Sequence, residues 1–209
     1  RAYDGDKGPN TGGMGVIAPN PFFTDSVAAE CMDTIFLPTI RAMEAEGCPF
    51  SGCLYFGLML TPSGPKVIEY NSRFGDPEAE AILPLLDSDL LEIMMAVTEG
   101  RLEDADVKWK DLSSACVVAA SGGYPGKYAK GKEITIGDTG DCSVYIAGGA
   151  EKDGKLVTSG GRVLSVVSTA RTLREALSKA YRAIEGISFE GMEFRKDIGR
   201  RALEASDGV

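Results

Sequence analysis

The chain has 209 residues, 44% hydrophobic and 25% charged, a balance that suits one large globular domain or two small ones and excludes disordered, collagenous and disulfide-scaffold chains. Its 22 Lys and Arg against 31 Asp and Glu leave a formal net charge of −9, and no basic run is long enough to track a phosphate backbone, which argues against a nucleic-acid partner. No apolar run approaches the roughly 18 to 20 residues of a membrane span and no signal segment opens the chain, so the sequence reads as cytoplasmic, with no membrane partner. The chain has no histidine, which removes Ser-His-Asp, Cys-His and HExxH chemistry within it. Its five cysteines form no CxxC pair and read as reduced, mostly buried thiols. Catalysis would therefore rest on carboxylates, amides, Arg, Lys, backbone N–H groups and a bound ion.

The chain opens at Arg1 and runs at once into a Gly-rich polar stretch, Asp4 to Gly15, as though it began inside something larger. Thr24, Asp25 or Ser26 can cap a helix whose apolar positions Val27, Cys31, Ile35 and Ile40 run at helical spacing to Gly47, with Pro38 expected to kink or split it. Cys53 to Leu60 and Lys66 to Tyr70 read as a hairpin around Thr61-Pro-Ser-Gly64-Pro. Asp87 or Ser88 can cap a helix through Leu90, Leu91, Met94, Met95 and Val97. The polar stretch Glu103 to Asp111 is the best linker candidate. Ala115 to Ser121 reads as a buried strand running into Gly122-Gly-Tyr-Pro-Gly126. Short strands at Ser143 to Ala147 and Lys155 to Thr158 flank the turn signal Lys152-Asp-Gly154, and Arg162 to Ser168 follows a Gly-Gly pair. Thr172-Leu-Arg-Glu175 matches a capping box for a helix over 172–185 with Leu173, Ala176, Leu177, Ala180 and Ile184 on one face.

The richest segment chemically is Val67-Ile-Glu69-Tyr-Asn71-Ser-Arg73-Phe-Gly-Asp76-Pro-Glu78. Period-two alternation predicts Glu69, Asn71 and Arg73 on one strand face, with Ile68 and Tyr70 on the other. A carboxylate and an amide oxygen so spaced suit Mg²⁺, which takes its other ligands from water and substrate phosphates, and Arg73 suits a phosphate oxygen. A solvated strand face ending in a turn has the same spacing. Asp76 and Glu78 can contact a substrate amine or cap the next helix. The loop over 8–15 exposes backbone N–H groups suited to an anion, or is a structural turn. Arg162, beside Gly160-Gly161, is a candidate phosphate or carboxylate contact.

The order of Gly-Pro-Asn-Thr-Gly-Gly-Met-Gly (8–15), Lys66 to Glu78, Gly-Gly-Tyr-Pro-Gly (122–126), Ser159-Gly-Gly-Arg-Val-Leu (159–164) and Arg195-Lys-Asp-Ile-Gly199 closely resembles the phosphoribosylamine–glycine ligase (glycinamide ribonucleotide synthetase) family over essentially the whole chain. The resemblance implies an ATP-grasp enzyme of purine synthesis that joins glycine to 5-phosphoribosylamine through glycyl phosphate, releasing ADP and phosphate. It implies Glu69 and Asn71 as ligands of Mg²⁺ or Mn²⁺, with ATP as co-substrate, and Arg73 as the catalytic group on the transferred phosphoryl. Asp6, Asn10, Thr11, Gly12, Gly13, Asp76, Glu78 and Arg162 become substrate-side residues, and Leu58 and Leu60 the adenine side. Many ATP-grasp enzymes place another acidic ligand on the preceding strand, where this chain has Phe56-Gly57-Leu58. The family's N-terminal portion, with the lysines that hold ATP, would lie upstream of Arg1, so the lone chain is expected to be inactive and to partner that missing portion.

The fold implied is α/β (α+β): 1–103 the C-terminal part of an ATP-grasp antiparallel sheet with helices, 104–112 a linker, 113–205 a small β-rich domain with one long helix, and 206–209 a tail. Two other readings use the same residues. A non-catalytic module would offer its acidic surface to a protein partner, and a related ATP-grasp carboxylase subunit would consume bicarbonate, although no biotin-attachment Met-Lys-Met occurs.

Overall fold

A computed structural model describes residues 1–207 as a mixed α+β chain. Its strands are β1 (Gly15–Ala18), β2 (Tyr55–Thr61), β3 (Gly64–Asn71), β4 (Ser113–Ser121), β5 (Thr135–Ile136), β6 (Ser143–Ile146), β7 (Gly149–Lys152), β8 (Lys155–Thr158), β9 (Arg162–Ala170), β10 (Ile187–Ser188) and β11 (Met192–Glu193). Its α-helices are α1 (Asp25–Cys31), α2 (Leu37–Ala45), α3 (Glu78–Ile82), α4 (Leu90–Thr98), α5 (Leu173–Ile184) and α6 (Arg200–Asp207). Packing divides the chain into two compact units that do not follow chain order: one holds residues 1–19, 76–85 and 110 onward, the other 20–75 and 86–109. No helix among the described residues is long and apolar enough to cross a membrane.

The first unit is built on an antiparallel sheet in the order β1-β4-β9-β6, with β11 also pairing β4. Strand β4 is buried from Ser114 to Ser121, and its alternation sorts its side chains between two helices. Ala115, Val117 and Ala119 join clusters with Ala176, Leu177, Ala180 and Ile184 of α5, whereas Cys116 and Val118 pack with Ala81 of α3 and Val167. The continuous apolar run is thus that of a strand covered on both faces. Thr172 caps α5 by accepting the Glu175 N–H, and the predicted inward face holds, with Ala183 added to it.

The strand Gly15–Ala18 has no signal of its own in the sequence, yet it pairs with Ser114 to Val117 and so draws the first residues into this unit. The turn Lys152-Asp-Gly154 closes a hairpin between β7 and β8, while the strand at Ser143 pairs with β9 instead. Ser206 and Asp207, expected in the tail, lie in α6, and 208–209 fall outside the described residues.

In the second unit the hairpin β2–β3 is antiparallel and the expected first helix forms as one run. Its cap is Thr24, which accepts the Val27 N–H. A π-helical stretch, Met32–Phe36, separates α1 from α2 just ahead of Pro38, the wider turn accommodating a residue with no N–H to donate. The cap of α4 is Asp89 rather than Asp87 or Ser88: its carboxylate accepts the Leu91 and Glu92 N–H groups. Ser88 turns to the other end of the unit, where its hydroxyl accepts the Lys108 N–H at 2.7 Å. The stretch read as a linker is therefore tied down by backbone bonds, Lys108 to Asp87 in this unit and Lys110 to Leu85 in the first. All five cysteines are free; Cys31 and Cys116 are buried, Cys48 is exposed, and the other two are half-buried.

These caps separate in a denaturation experiment. Asp89→Ala should cost about 1 kcal/mol by urea titration, within the usual range for a lost N-cap, while Asp87→Ala should stay within about 0.5 kcal/mol of the parent, the usual scatter of surface substitutions.

Candidate functional site

The hairpin presents one polar face. Bridged partners share a face, so Glu69 lies on the side of Gly57, its partner, and Asn71 on the side of Tyr55. The Asn71 amide donates to Glu69 Oε1 at 3.1 Å, holding the two side chains together with the amide oxygen turned away from that bond. A β-carbon at Gly57 would stand 2.8 Å from Glu69 Cγ. The missing acid of β2 is thus a position that leaves room for the carboxylate of β3.

Alternation then breaks. The register shifts between Gly57 and Leu58, so Leu58 pairs with Val67 and Ile68 becomes the extra residue of a bulge. By the alternation of β2 itself, Leu58 and Leu60 fall on the face of Phe56, whose ring lies 4.5 Å from that of Phe36, and not on the face of Glu69. Met59 is the apolar side chain of β2 on the Glu69 face, 54% exposed. Ile68, expected on the apolar face opposite Glu69, is 61% exposed. Arg73 lies beyond the end of β3, so strand alternation does not reach it; its exposed guanidinium donates to its neighbour's carbonyl, Phe74 O, at 2.8 Å. No cluster of three or more His, Cys, Asp or Glu among the described residues could hold a metal ion. Glu69 and Asn71 still fit an ion completed by phosphate oxygens, because both offer hard oxygen donors and Mg²⁺ commonly takes only one or two carboxylate-type protein ligands.

The first unit assembles a second cluster from four of the five motif segments. Arg162 is its centre: Nη1 donates to Gly12 O at 3.1 Å, Gly13 O at 3.3 Å and Asp76 O at 2.7 Å, while Nη2 pairs with the Asp76 carboxylate at 3.1 Å. The guanidinium therefore ties the 8–15 loop to the Asp-Pro-Glu segment rather than standing free for an anion. Gly13, at φ +119°, sits so close to Pro77 that a β-carbon would lie 2.6 Å from Cδ. Thr11 Oγ1 accepts the Gly13 N–H at 3.1 Å, and Tyr124 Oη accepts that of Gly12 at 3.4 Å. Tyr124 in turn packs against Gly161, where a β-carbon would stand 2.2 Å from its ring. Asn10 stays exposed, and Glu78 is half-buried at the start of α3.

Two groups escaped the sequence reading. Glu80, in the first turn of α3, has a buried Oε2 with no hydrogen-bond partner among the described residues, and burial, reinforced by Asp76, raises its carboxyl above the ordinary range; the alternation of acids at 76, 78 and 80 was its only signal. The other is the partner of Asp6. That carboxylate accepts from Arg195 Nη2 at 2.9 Å and also pairs with Arg201, and the Arg195 hydrogen bond holds Asp6 below its usual range. Asp6 is thus occupied by cations of its own chain.

Residues 1–79 match the ATP-grasp (A) domain of phosphoribosylglycinamide synthetase, and residues 114–201 match its C domain. The chain is 52% identical over 199 residues to the phosphoribosylamine–glycine ligase of Caldanaerobacter subterraneus subsp. tengcongensis, covering 95% of this chain and 48% of that protein. It is 48% identical over 208 residues to the trifunctional purine biosynthetic protein adenosine-3 of Gallus gallus, covering 97% of this chain and 21% of that protein. The crystal structure of phosphoribosylamine–glycine ligase from Thermotoga maritima superposes with a TM-score of 0.81 at 42% identity, over 95% of this chain and 49% of that one. Biotin carboxylase from Campylobacter jejuni, at 16% identity and a TM-score of 0.59 over 87% of this chain and 40% of that one, shares the fold alone. The chain spans about half the length of the curated single-function relatives it matches.

Two measurements test this geometry. Gly13→Ala should lose more than about 1 kcal/mol of stability, since it adds strain at positive φ to a clash with Pro77. Asp6 and Asp197 are both held below the usual carboxylate range, each chiefly by its hydrogen bond from Arg195. Depressed carboxylates stabilise the fold above the unfolded value of about 3.9 and cease to do so as pH falls through the folded one. Thermal melts from about pH 5 to 3 should thus fall more steeply for the parent than for Asp197→Asn.

Proposed function

Since the chain belongs to the phosphoribosylglycinamide synthetase family, with its A and C domains both represented, we propose that it is the C-terminal portion of an ATP-dependent ligase that joins glycine to 5-phosphoribosylamine. A carboxylate oxygen of glycine bonds to the terminal phosphorus of ATP as the bond to ADP breaks. The amine of phosphoribosylamine then attacks the glycyl carbonyl, the phosphate leaves, and the amine gives up a proton. Neither step needs a side-chain nucleophile, because positioning and neutralisation of charge dominate phosphoryl transfer. A chain without histidine can supply both.

The observation that carries the reading is the hydrogen-bonded Glu69–Asn71 pair on one face of the hairpin, with Glu69 exposed opposite Gly57. Glu69 and Asn71 would hold Mg²⁺ or Mn²⁺, which would supply positive charge to neutralise that building on the ATP phosphates. Arg73, one bend further on, leaves the Phe74 carbonyl for the transferred phosphoryl. Met59, on the same face, takes the adenine side in place of Leu58 and Leu60. In the first unit Asn10, Thr11, Asp76 and Glu78 serve the amino acid and the amine, while Arg162 and Asp6 keep them in place. The upstream half of the family's length is the partner that completes the ATP site. Support for that partner comes from the hairpin, whose sheet has only two strands and so leaves one edge of each unpaired, and from the exposure of Met59, Ile68 and Trp109. The same reading places the enzyme in the cytoplasm.

The test is substitution in the chain extended to the family's full length, assayed by glycine-dependent ADP release. Glu69→Gln should lower kcat by about 100-fold or more, the upper end for damage around a metal ligand, and excess Mn²⁺ should restore part of it. Unchanged turnover would remove Glu69 from the site. Bicarbonate-dependent but glycine-independent release would favour the carboxylase reading.

A further inference from the structure

The motif Arg195-Lys-Asp-Ile-Gly199 has no place in the phosphoryl-transfer scheme, yet it forms the most enclosed ion pair of the chain's described residues. Arg195 is 11% and Asp197 9% exposed along their side chains. Arg195 Nε and Nη2 grip the Asp197 carboxylate at 2.8 and 3.0 Å, a two-point contact that fixes the plane of both groups.

The outer atoms of this pair are spent on the first six residues. Arg195 Nη2 reaches Asp6, and Nη1 donates to Arg1 O at 3.3 Å. Asp197 Oδ2 accepts the Gly5 N–H at 2.7 Å, and the Lys196 N–H donates to Asp4 at 2.8 Å. Gly5 and Asp6 both adopt positive φ, 69° and 56°, and for Asp6 that conformation is unfavourable unless its surroundings hold it. Here two guanidinium groups do so.

This segment leads straight into the glycine loop. Ala2 N donates to Pro9 O, and Tyr3 and Lys7 exchange backbone hydrogen bonds, so residues 2–9 form a closed loop. Beyond it Gly12 and Gly13 hang on Arg162. Between the two anchors Lys7, Gly8, Pro9 and Asn10 are exposed, a short span with one cation and one amide side chain, its carbonyls at Lys7, Gly8 and Pro9 already held by Tyr3, Arg1 and Ala2.

We propose that Arg195 and Asp197 are positioning residues of the ligase reaction: acting through Asp4, Gly5 and Asp6, they preset the span Lys7–Asn10 as a binding edge for glycine or phosphoribosylamine. The proposal rests on the ligase reading above and adds to it the function of a motif more than 180 residues away in sequence. An edge held at both ends loses little freedom when a ligand arrives, so loosening one end weakens binding there while leaving the nucleotide side untouched.

Asp197→Asn keeps the size of the side chain and removes its charge; Arg195→Lys keeps the charge and removes the planar fork. Both variants, in the chain at the family's full length, are compared with the parent by steady-state kinetics and by amide hydrogen exchange. The expected result is faster exchange over residues 2–13 with unchanged exchange in β4, and a KM for glycine or for phosphoribosylamine raised about tenfold while KM for ATP stays within about twofold. Exchange over 2–13 equal to the parent's would overturn the proposal, as would faster exchange with all three KM values unchanged, which would leave a purely structural clasp. An equal rise in every KM, or exchange accelerated in β4 as well, would mean general loosening and would also overturn it. Failure of the ligase reading has a separate signature: the unsubstituted enzyme would release no ADP in response to glycine and phosphoribosylamine.

Discussion

A strand buried on both faces and bonded along both edges cannot slip, because a one-residue shift would exchange every side chain between its two helices. β4 is such a strand: α5 takes its odd-numbered residues and α3 takes Cys116 and Val118. Its register sets that of β1 on one edge and of β9 on the other. β1 is the continuation of the glycine loop, and β9 begins at Arg162. The meeting of that loop with that guanidinium is thus a consequence of core packing, settled before any ligand is considered.

The chemistry follows the same economy. The polar clusters are made of few side chains: an acid and an amide on the hairpin, and in the sheet unit a guanidinium holding three carbonyls and a carboxylate, beside the separate clasp of Arg195 and Asp197. Neither contains a strong nucleophile. Cys116, the most plausible by element, lies in the core, where burial pushes its thiol up to about 12, so it stays protonated and inert at neutral pH. What both clusters can do is hold charged groups still, which is the demand that acyl-phosphate chemistry makes.

How much of this the sequence disclosed depended on the range of the interaction. β4, β9 and α5 were legible because each carries its own signal, a long apolar run or a capped amphipathic repeat. So was the pairing of Glu69 with Asn71, which needs only the two-residue period of one strand. β1 was not, since four residues acquire their identity as a strand only by lying against Ser114 to Val117. The bulge at Ile68 belongs to a pair of strands and is invisible in either one, and it breaks the alternation that would have carried the face of Glu69 back along β3. The cap of α4 was misplaced because three adjacent residues offer suitable side chains, and the choice falls to where Ser88 finds its other partner. The ties of Asp6 lay furthest from view: nothing near it in sequence announces a guanidinium close to the opposite end of the chain.

That the first nineteen residues share a unit with everything from residue 110 onward also bears on how the molecule is made. Gly15 must wait for Val117, a partner about a hundred residues later, so the sheet cannot close until the intervening unit has been synthesised. Contacts of such long separation impose a large loop-closure cost ahead of any reward and slow the search. The intervening residues can meanwhile form their hairpin and helices from local contacts. Folding should then proceed from the inside of the chain outwards, with the glycine loop, on which the binding edge depends, among the last parts to take its place.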